Sequence, residues 1–324
     1  MLKALILGGA GFIGFSLAKF LIKKNISVDL LDSFSRGKQD KDLLDFIDND
    51  NKKIIQANLR DANIVNKVND NYDFIFHFAA LLGVENVIKN PLMVLDHNTN
   101  LTLNALNIAK KQKALKAVIF SSTSEVYAGT LEHNLLKIPS NEDSMIILPK
   151  LNSPRTSYML SKLYGEALFI HSGLPYIILR PHNIFGPRMG MSHVVPQLFK
   201  KVYTNSENNY LEVYSSEHTR TFCFIEIAIQ QIYKLIMNNK AINNTFNIGV
   251  EKPEIKINEL AKKIITLSNK SLNIKEMPNA EGSPNRRCPS MKKTYEYIEG
   301  IENKPLEEGL SITRDWYLKN NYFN

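Results

Sequence analysis

The chain has 324 residues, 44% of them hydrophobic and 22% charged, proportions that exclude a largely disordered, collagen-like or membrane-spanning chain. Forty Lys and Arg against 32 Asp and Glu leave a formal charge of +8, which favours anionic partners without choosing among nucleic acid, a membrane surface or a phosphorylated small molecule. Cys223 and Cys288 build neither a disulfide framework nor a zinc site, so no metal is expected; with no signal peptide or apolar span recognised, the expected location is cytoplasmic, without a membrane partner.

Short apolar runs near 3–7, 27–31, 53–57, 73–77, 116–121 and 176–180 read as strands. Between them, segments such as Ile13–Lys23 and Thr102–Lys111 place apolar residues at helical spacing. Such alternation predicts an α/β fold with a Rossmann-type, doubly wound parallel sheet. After Arg180 the pattern loosens, and the polar stretches Tyr203–Asn209 and Asn279–Asn285 read as exposed loops. The expected division is a dinucleotide-binding domain over residues 1–180, with a return segment near 220–250, and a smaller α+β substrate domain over 181–324. The second domain would close over the carboxyl ends of the strands, where open α/β sheets bind ligands.

Gly8-Gly9-Ala10-Gly11-Phe12-Ile13-Gly14 stands between the first strand and the first helix. Glycines there let the chain turn tightly and a pyrophosphate approach the backbone, while Phe12 and Ile13 open the helix whose amino terminus faces that phosphate. Eighteen residues past Gly14, Asp32 ends the second strand, where a carboxylate binds both ribose hydroxyls and repels a 2′-phosphate. NAD is therefore expected. Ser35 and Arg36 follow closely, and Arg36 could instead accept a 2′-phosphate. Asn58-Leu59 after the third strand could border the adenine, and Ala79-Ala80 after the fourth are small residues where a cofactor passes near the backbone.

Tyr158 and Lys162 stand four apart, hence on one face of a helix. A phenol ionises near ~10 and is a poor base at neutral pH unless a cation stabilises the phenolate; Lys162 and an oxidised nicotinamide ring are such cations. Upstream, the fifth strand runs out into Ser121-Ser122-Thr123-Ser124-Glu125. Hydroxyls there can hydrogen-bond a substrate oxygen, and a carboxylate can exchange a proton with carbon. A surface Tyr/Lys pair or a Ser-rich turn would look the same in isolation. Their order behind the glycine loop and Asp32 points to a site.

Together these residues resemble the extended short-chain dehydrogenase/reductase family, specifically its NAD-dependent nucleotide-sugar epimerases, dehydratases and decarboxylases. GGAGFIG, HFAALLGVENVIKNP at 77–91, SSTSEVYAG at 121–129, SYMLSKLYGEA at 157–167 and LRPHNIFGPRM at 179–189 carry the likeness over nearly the whole chain. The resemblance implies that Tyr158 removes the sugar 4-hydroxyl proton while the hydride at C4 passes to NAD⁺, giving a 4-keto sugar. Thr123 would hydrogen-bond that oxygen, and Lys162 would hold Tyr158 ionised and contact the nicotinamide ribose.

Dehydratases of the family carry Thr-Asp-Glu, and simple 4-epimerases usually lack the glutamate. Thr123-Ser124-Glu125 instead resembles the UDP-glucuronate decarboxylases, in which the 4-ketone makes a β-keto acid that loses CO₂, with Glu125 acting near C5. A UDP-sugar is thus the favoured substrate. By the same analogy Arg188, Arg220 and Arg287 are candidates for the diphosphate or the sugar carboxylate, with Arg220 ranked first. Asn183 and His182 would also meet the substrate.

The chain departs from the family at several points. Tyr127-Ala128-Gly129 replaces the usual Tyr-Gly-Asp, Ile227 follows Glu226 where an Asp is usual, Asn58 stands for the adenine-side Asp, and His182 for a Phe common in decarboxylases. These changes leave a nucleotide-sugar 4-epimerase, or another epimerase of the family in which Glu125 serves at C4 or C5, as the alternative, with a non-catalytic NAD-binding protein behind it. Scattered basic residues without an aromatic-interleaved patch argue against a nucleic-acid partner. A homodimer is expected from the resemblance, through helices around Leu92–Lys111 and Ser157–His171.

Overall fold

The apolar runs of the first half become strands of one parallel sheet, buried on both faces except at the edge strand over residues 52–56. The computed structural model describes residues 1–37, 39–47, 52–205, 209–280 and 282–323. The two expected loops, Tyr203–Asn209 and Asn279–Asn285, include residues 206–208 and 281, which lie outside the described residues.

In chain order the first half runs β1 (Lys3–Leu7), α1 (Phe12–Lys23), β2 (Ser27–Asp32), α2 (Lys41–Ile47), β3 (Lys52–Gln56), β4 (Phe74–His77), α3 (Val84–Lys89), α4 (Pro91–Lys111), β5 (Ala117–Ser121), α5 (Ala128–Glu132), α6 (Pro154–Ile170) and β6 (Tyr176–Pro181). Then come β7 (Ile184–Phe185), α7 (Val194–Thr204), β8 (Tyr210–Tyr214), β9 (Thr219–Thr221), β10 (Cys223–Phe224), α8 (Ile225–Ile236) and β11 (Asn244–Ile248). The chain closes with β12 (Glu254–Lys256), α9 (Ile257–Leu267), β13 (Asn273–Met277), β14 (Arg286–Arg287), α10 (Lys292–Tyr297) and α11 (Leu306–Lys319).

Seven strands form the main sheet in the order β11-β6-β5-β4-β1-β2-β3, with every pairing parallel. The order reverses between β1 and β4, so the connections leave in opposite directions and a crevice opens at the carboxyl ends of these two strands. The glycine loop after β1 and Ala79-Ala80 after β4 border that crevice. Ser122–Glu125 after β5 and His182 after β6 continue along the same edge.

Helices cover both faces, as the wholly apolar or buried strands KALIL and FIFH require. One face, with Leu5, Leu7, Ile75 and Phe120, closes under α4 and α6. The other is larger and continues from Ala4, Ile6 and Phe76 into the second half through Phe185, Phe224, Leu260 and Tyr317.

The seventh strand lies in the return segment, where two asparagines interrupt the apolar pattern of β11. Asn247 is nonetheless buried, because its amide donates to the carbonyls of Ser140 at 3.0 Å and Ser290 at 3.2 Å while its oxygen meets Tyr127 and His182. Helix α8 packs on α1, so residues 225–248 lie with the first half in space. The small sheets β12-β9-β14, β13-β8 and β10-β7 gather the rest of the chain after β6.

Candidate active site

The loop after β1 turns on Gly8, at φ +84°, where an added Cβ would lie 2.7 Å from the Ala79 nitrogen. A Cβ at Gly14 would lie 2.5 Å from the Gly8 carbonyl oxygen, so α1 begins hard against the loop. Gly11 is the N-cap, and no side chain caps the helix ahead of Phe12 and Ile13. The Asp32 carboxylate accepts from the backbone N–H groups of Ala10 at 3.0 Å and Phe34 at 2.8 Å, pinning the loop to the end of β2. A carboxylate has further lone pairs for ribose hydroxyls. A glycine cradle too tight for any Cβ, an uncapped helix start and an acid at the second strand fit a bound dinucleotide.

Around this cradle, Ser35 takes a hydrogen bond from the Ser33 hydroxyl, and burial lowers Arg36 below its ordinary range, with Tyr158 and Asp32 opposing that shift. Asn58 accepts from the Arg60 N–H at 3.0 Å. Leu59 packs into the core, and its carbonyl accepts from Asn104. Ala79 and Ala80 are half-buried, Ala79 against Gly8.

Beyond β5, Thr123 opens a tight 3-10 turn, Ser124–Tyr127, which its hydroxyl caps by accepting from the Glu125 N–H at 3.2 Å. The Thr123 side chain also lies near enough to Tyr158 to favour its ionised form. Ser124 is buried and Glu125 half-buried. Across from them α6 presents Arg155, Tyr158, Lys162 and Glu166 along one face.

Lys162 donates from Nζ to the Ser121 carbonyl at 2.8 Å and stands 5.9 Å from the centroid of the Tyr158 ring. Burial pulls this lysine down to about 8, against the charge of Glu166. Burial first, and Glu125 second, push the Tyr158 phenol above its ordinary range; Arg36 and Thr123 pull it back. In the protein alone the phenol therefore ionises less readily than in water. The opposing cation is Arg36, while Lys162 clamps the end of β5.

Glu125 faces a group of arginines. Arg155 Nη2 lies 3.7 Å from its Oε1, and Arg155 Nη1 donates to the Gly282 carbonyl at 2.8 Å. Arg287 is lowered by burial, with Glu125 opposing that shift and Arg155 adding to it. In the β9–β14 pairing Arg287 stands opposite Arg220. Arg220 donates to the Thr219 carbonyl at 2.7 Å, the Ser283 hydroxyl at 3.1 Å and the Pro284 carbonyl at 2.5 Å. Burial and then the Arg287 charge lower Arg220, yet a guanidinium stays protonated at neutral pH.

Three residues grouped with the substrate in the sequence reading are placed otherwise. Arg188 bonds the Ala10 carbonyl at 3.0 Å, pairs with Asp40 and lies 4.3 Å over the Phe15 ring, so it braces the glycine loop. His182 is 1% exposed, its Nε2 is 3.0 Å from Asn247 Oδ1, and its Nδ1 has no partner. Burial takes this histidine down to about 3, which keeps it neutral in the core. Asn183, at φ +42°, donates its amide to the Thr221 carbonyl at 3.0 Å and so ties the end of β6 to β9.

Two features escaped the sequence reading. Arg155 precedes Tyr158 by three residues, a helical spacing that puts it on the same face. Behind the site, Arg180 donates from Nε and Nη2 to the two oxygens of Glu166 at 3.0 and 2.7 Å, and from Nη1 to the Tyr127 hydroxyl and the Glu142 carbonyl, both at 2.9 Å. The Ser122 hydroxyl donates to the same Glu166 at 2.5 Å, which fixes the residue beside Thr123. Glu166 extends the helical stripe of Tyr158 and Lys162 by one more turn. Among the described residues no group of three or more His, Cys, Asp or Glu is arranged to hold a metal, and no helix is long and apolar enough to cross a membrane.

The family model described as NAD dependent epimerase/dehydratase family matches residues 4–249. A UDP-N-acetyl-alpha-D-glucosaminuronate decarboxylase of Bacillus cytotoxicus is 32% identical over 97% of this chain and 97% of its own. A UDP-glucuronic acid decarboxylase 1 of Danio rerio is 30% identical over 98% of this chain and 73% of its own. Among solved structures, a UDP-glucuronic acid 4-epimerase of Bacillus cereus gives a TM-score of 0.85 at 23% identity, covering 98% of this chain and all of its own, a likeness of fold.

Proposed function

The chain belongs to the NAD dependent epimerase/dehydratase family, and on that footing we propose that it decarboxylates a UDP-hexuronic acid through a transient 4-keto sugar, with NAD in the crevice between β1 and β4. One arrangement carries the proposal: Glu125 acts on Tyr158 from within a group of arginines, while the residue between Thr123 and Glu125 is a buried serine. A serine offers no acid to protonate a departing 6-hydroxyl, which disfavours 4,6-dehydration. Of the three relatives at 30% identity or above, two are named as decarboxylases of UDP-linked uronic acids and cover 97–98% of this chain, while the third, over 82% of it, is named a dTDP-D-glucose 4,6-dehydratase.

When bound, NAD supplies the hydride acceptor and later donor for C4, together with a positive ring beside the phenol. Gly8, Gly11 and Gly14 admit its pyrophosphate to the backbone, and Asp32 takes ribose hydroxyls. Tyr158 takes the proton from the sugar O4, and Thr123 hydrogen-bonds the same oxygen. With C4 a ketone, the C5–C6 bond breaks, its electron pair moves to the C4 oxygen as an enolate, and CO₂ leaves. A proton from water, steered by the Glu125 carboxylate, adds to C5 as the enolate collapses back to the 4-ketone. Tyr158 returns its proton to O4 as C4 is reduced, and a UDP-pentose is released. Arg220 and Arg287, adjacent across β9 and β14, suit the diphosphate.

The dimer is part of the proposal. α4 and α6 pack side by side, and Leu92, 79% exposed, with Met93, Tyr164 and Ile170 leaves an apolar outer face for a second copy. Two buried free thiols, Cys223 and Cys288, suit a reducing cytoplasm.

The test is incubation of the purified protein and NAD with UDP-glucuronate and with UDP-N-acetylglucosaminuronate, read by CO₂ release and mass spectrometry. CO₂ with a UDP-pentose product supports the proposal. The 4-epimer without CO₂ would assign the chain to epimerisation, for which Tyr158 and Thr123 are equally suited. No change in either substrate would overturn both.

A further inference from the structure

Glu125 creates an electrostatic difficulty for an acidic sugar. A hexuronate carries its carboxylate on C5, the carbon beside C4, and the residue facing Tyr158 from the other side of the site is itself a carboxylate. Two such charges a few ångströms apart in a partly dry cleft repel strongly. A neutral sugar would meet no such penalty.

Arg155 is placed to remove it. Its Nη2 is 3.7 Å from Glu125 Oε1, an ion pair wider than a hydrogen bond, and both side chains stay partly open, at 29% and 27% exposure. It shares the helical face of Tyr158, one turn earlier on α6. The Gly282 carbonyl holds its other nitrogen at 2.8 Å and so fixes the fork. Gly282 has φ +66°, and a Cβ there would stand 2.9 Å from Arg155 Nη1, so the close approach depends on glycine. The neighbouring Arg220 is engaged by Thr219, Ser283 and Pro284, at the β9–β14 end of the group.

From this geometry we infer that Arg155 is the specificity-determining residue for the acidic sugar: its charge lets a substrate carboxylate lie next to Glu125. The inference rests on the proposed decarboxylation and names the group that admits its substrate class. Arg155 offers a planar fork that can face Glu125 and the incoming carboxylate together.

Binding is measured by calorimetry on NAD-loaded protein carrying Tyr158→Phe, which stops turnover. In this background Arg155→Gln, which removes the charge, should weaken UDP-glucuronate by about tenfold or more and leave UDP-xylose and UDP within about twofold. Arg155→Lys should keep most of the preference. Adding Glu125→Gln to Arg155→Gln should restore uronate binding, because the repelling charge is gone. Equal weakening of all three ligands would make Arg155 only a brace for Gly282 and overturn the inference, as would unchanged uronate binding or no rescue by Glu125→Gln. Failure of the decarboxylation proposal shows separately, as absence of CO₂ from the unsubstituted enzyme.

Discussion

Replacing Glu166 with Gln keeps the side chain's size and removes its charge, which leaves the Arg180 guanidinium buried beside a neutral amide. The two side chains are 5% and 6% exposed, so water cannot take over the lost partner. Arg180 would exchange two charge-assisted bonds, now at 3.0 and 2.7 Å, for at most one to a neutral amide oxygen, beside those to Tyr127 and the Glu142 carbonyl. Although burial lowers it, Glu166 is the main reason its proton affinity is raised overall. Breaking one side of such a pair costs about 3–5 kcal/mol, whereas removing both charges with apolar residues of similar volume is often close to neutral. Urea unfolding should therefore show Glu166→Gln losing about 3–5 kcal/mol, and Glu166→Leu with Arg180→Met losing much less than the sum of the single changes. Because Ser122 also depends on Glu166, kcat should fall even where the protein is fully folded. A single-variant loss below about 1 kcal/mol, or strict additivity in the double variant, would refute this account of the pair.

Tyr158→Phe should lower turnover by a factor of about 10²–10⁴ while NAD still binds, checked by steady-state rates beside a fluorescence titration; unchanged turnover would remove Tyr158 from its role. Gly14→Ala, whose Cβ would sit 2.5 Å from the Gly8 oxygen, should weaken NAD by about tenfold or more in the same titration. His77 and His182 are both pushed down to about 3, chiefly by burial, from an ordinary 6.5. Between those values the unfolded chain binds protons that the folded one refuses, so stability is fully present above 6.5 and is lost as pH falls toward 3. The loss is about 1.4 kcal/mol per histidine per pH unit well inside that window, and His182→Gln should flatten the slope of urea midpoint against pH; an unaltered slope would contradict the assignment.

Much of the cofactor side was legible because its signals are local. A glycine that must adopt a positive φ, an acid at the next strand end and a strand-to-helix alternation are each written within a few consecutive residues. Tyr158 and Lys162 share this property, since helical spacing alone puts them on one face. The same spacing also places Arg155 and Glu166, but nothing nearby says which of the helix's polar residues faces a partner.

What the chain alone determined is the parallel sheet and the phenol, lysine and hydroxyl set gathered at one end of it, because repeat period and tight turns depend on near neighbours. Only the tertiary structure decided which charges meet. Glu125 finds Arg155 and lies under the influence of Arg287, Glu166 joins Ser122 to Arg180, Arg188 turns to Asp40, and β11 completes the sheet despite its asparagines. Partners separated by tens to more than a hundred residues have no fixed spacing along the sequence, so their pairing appears only once the backbone has closed around them.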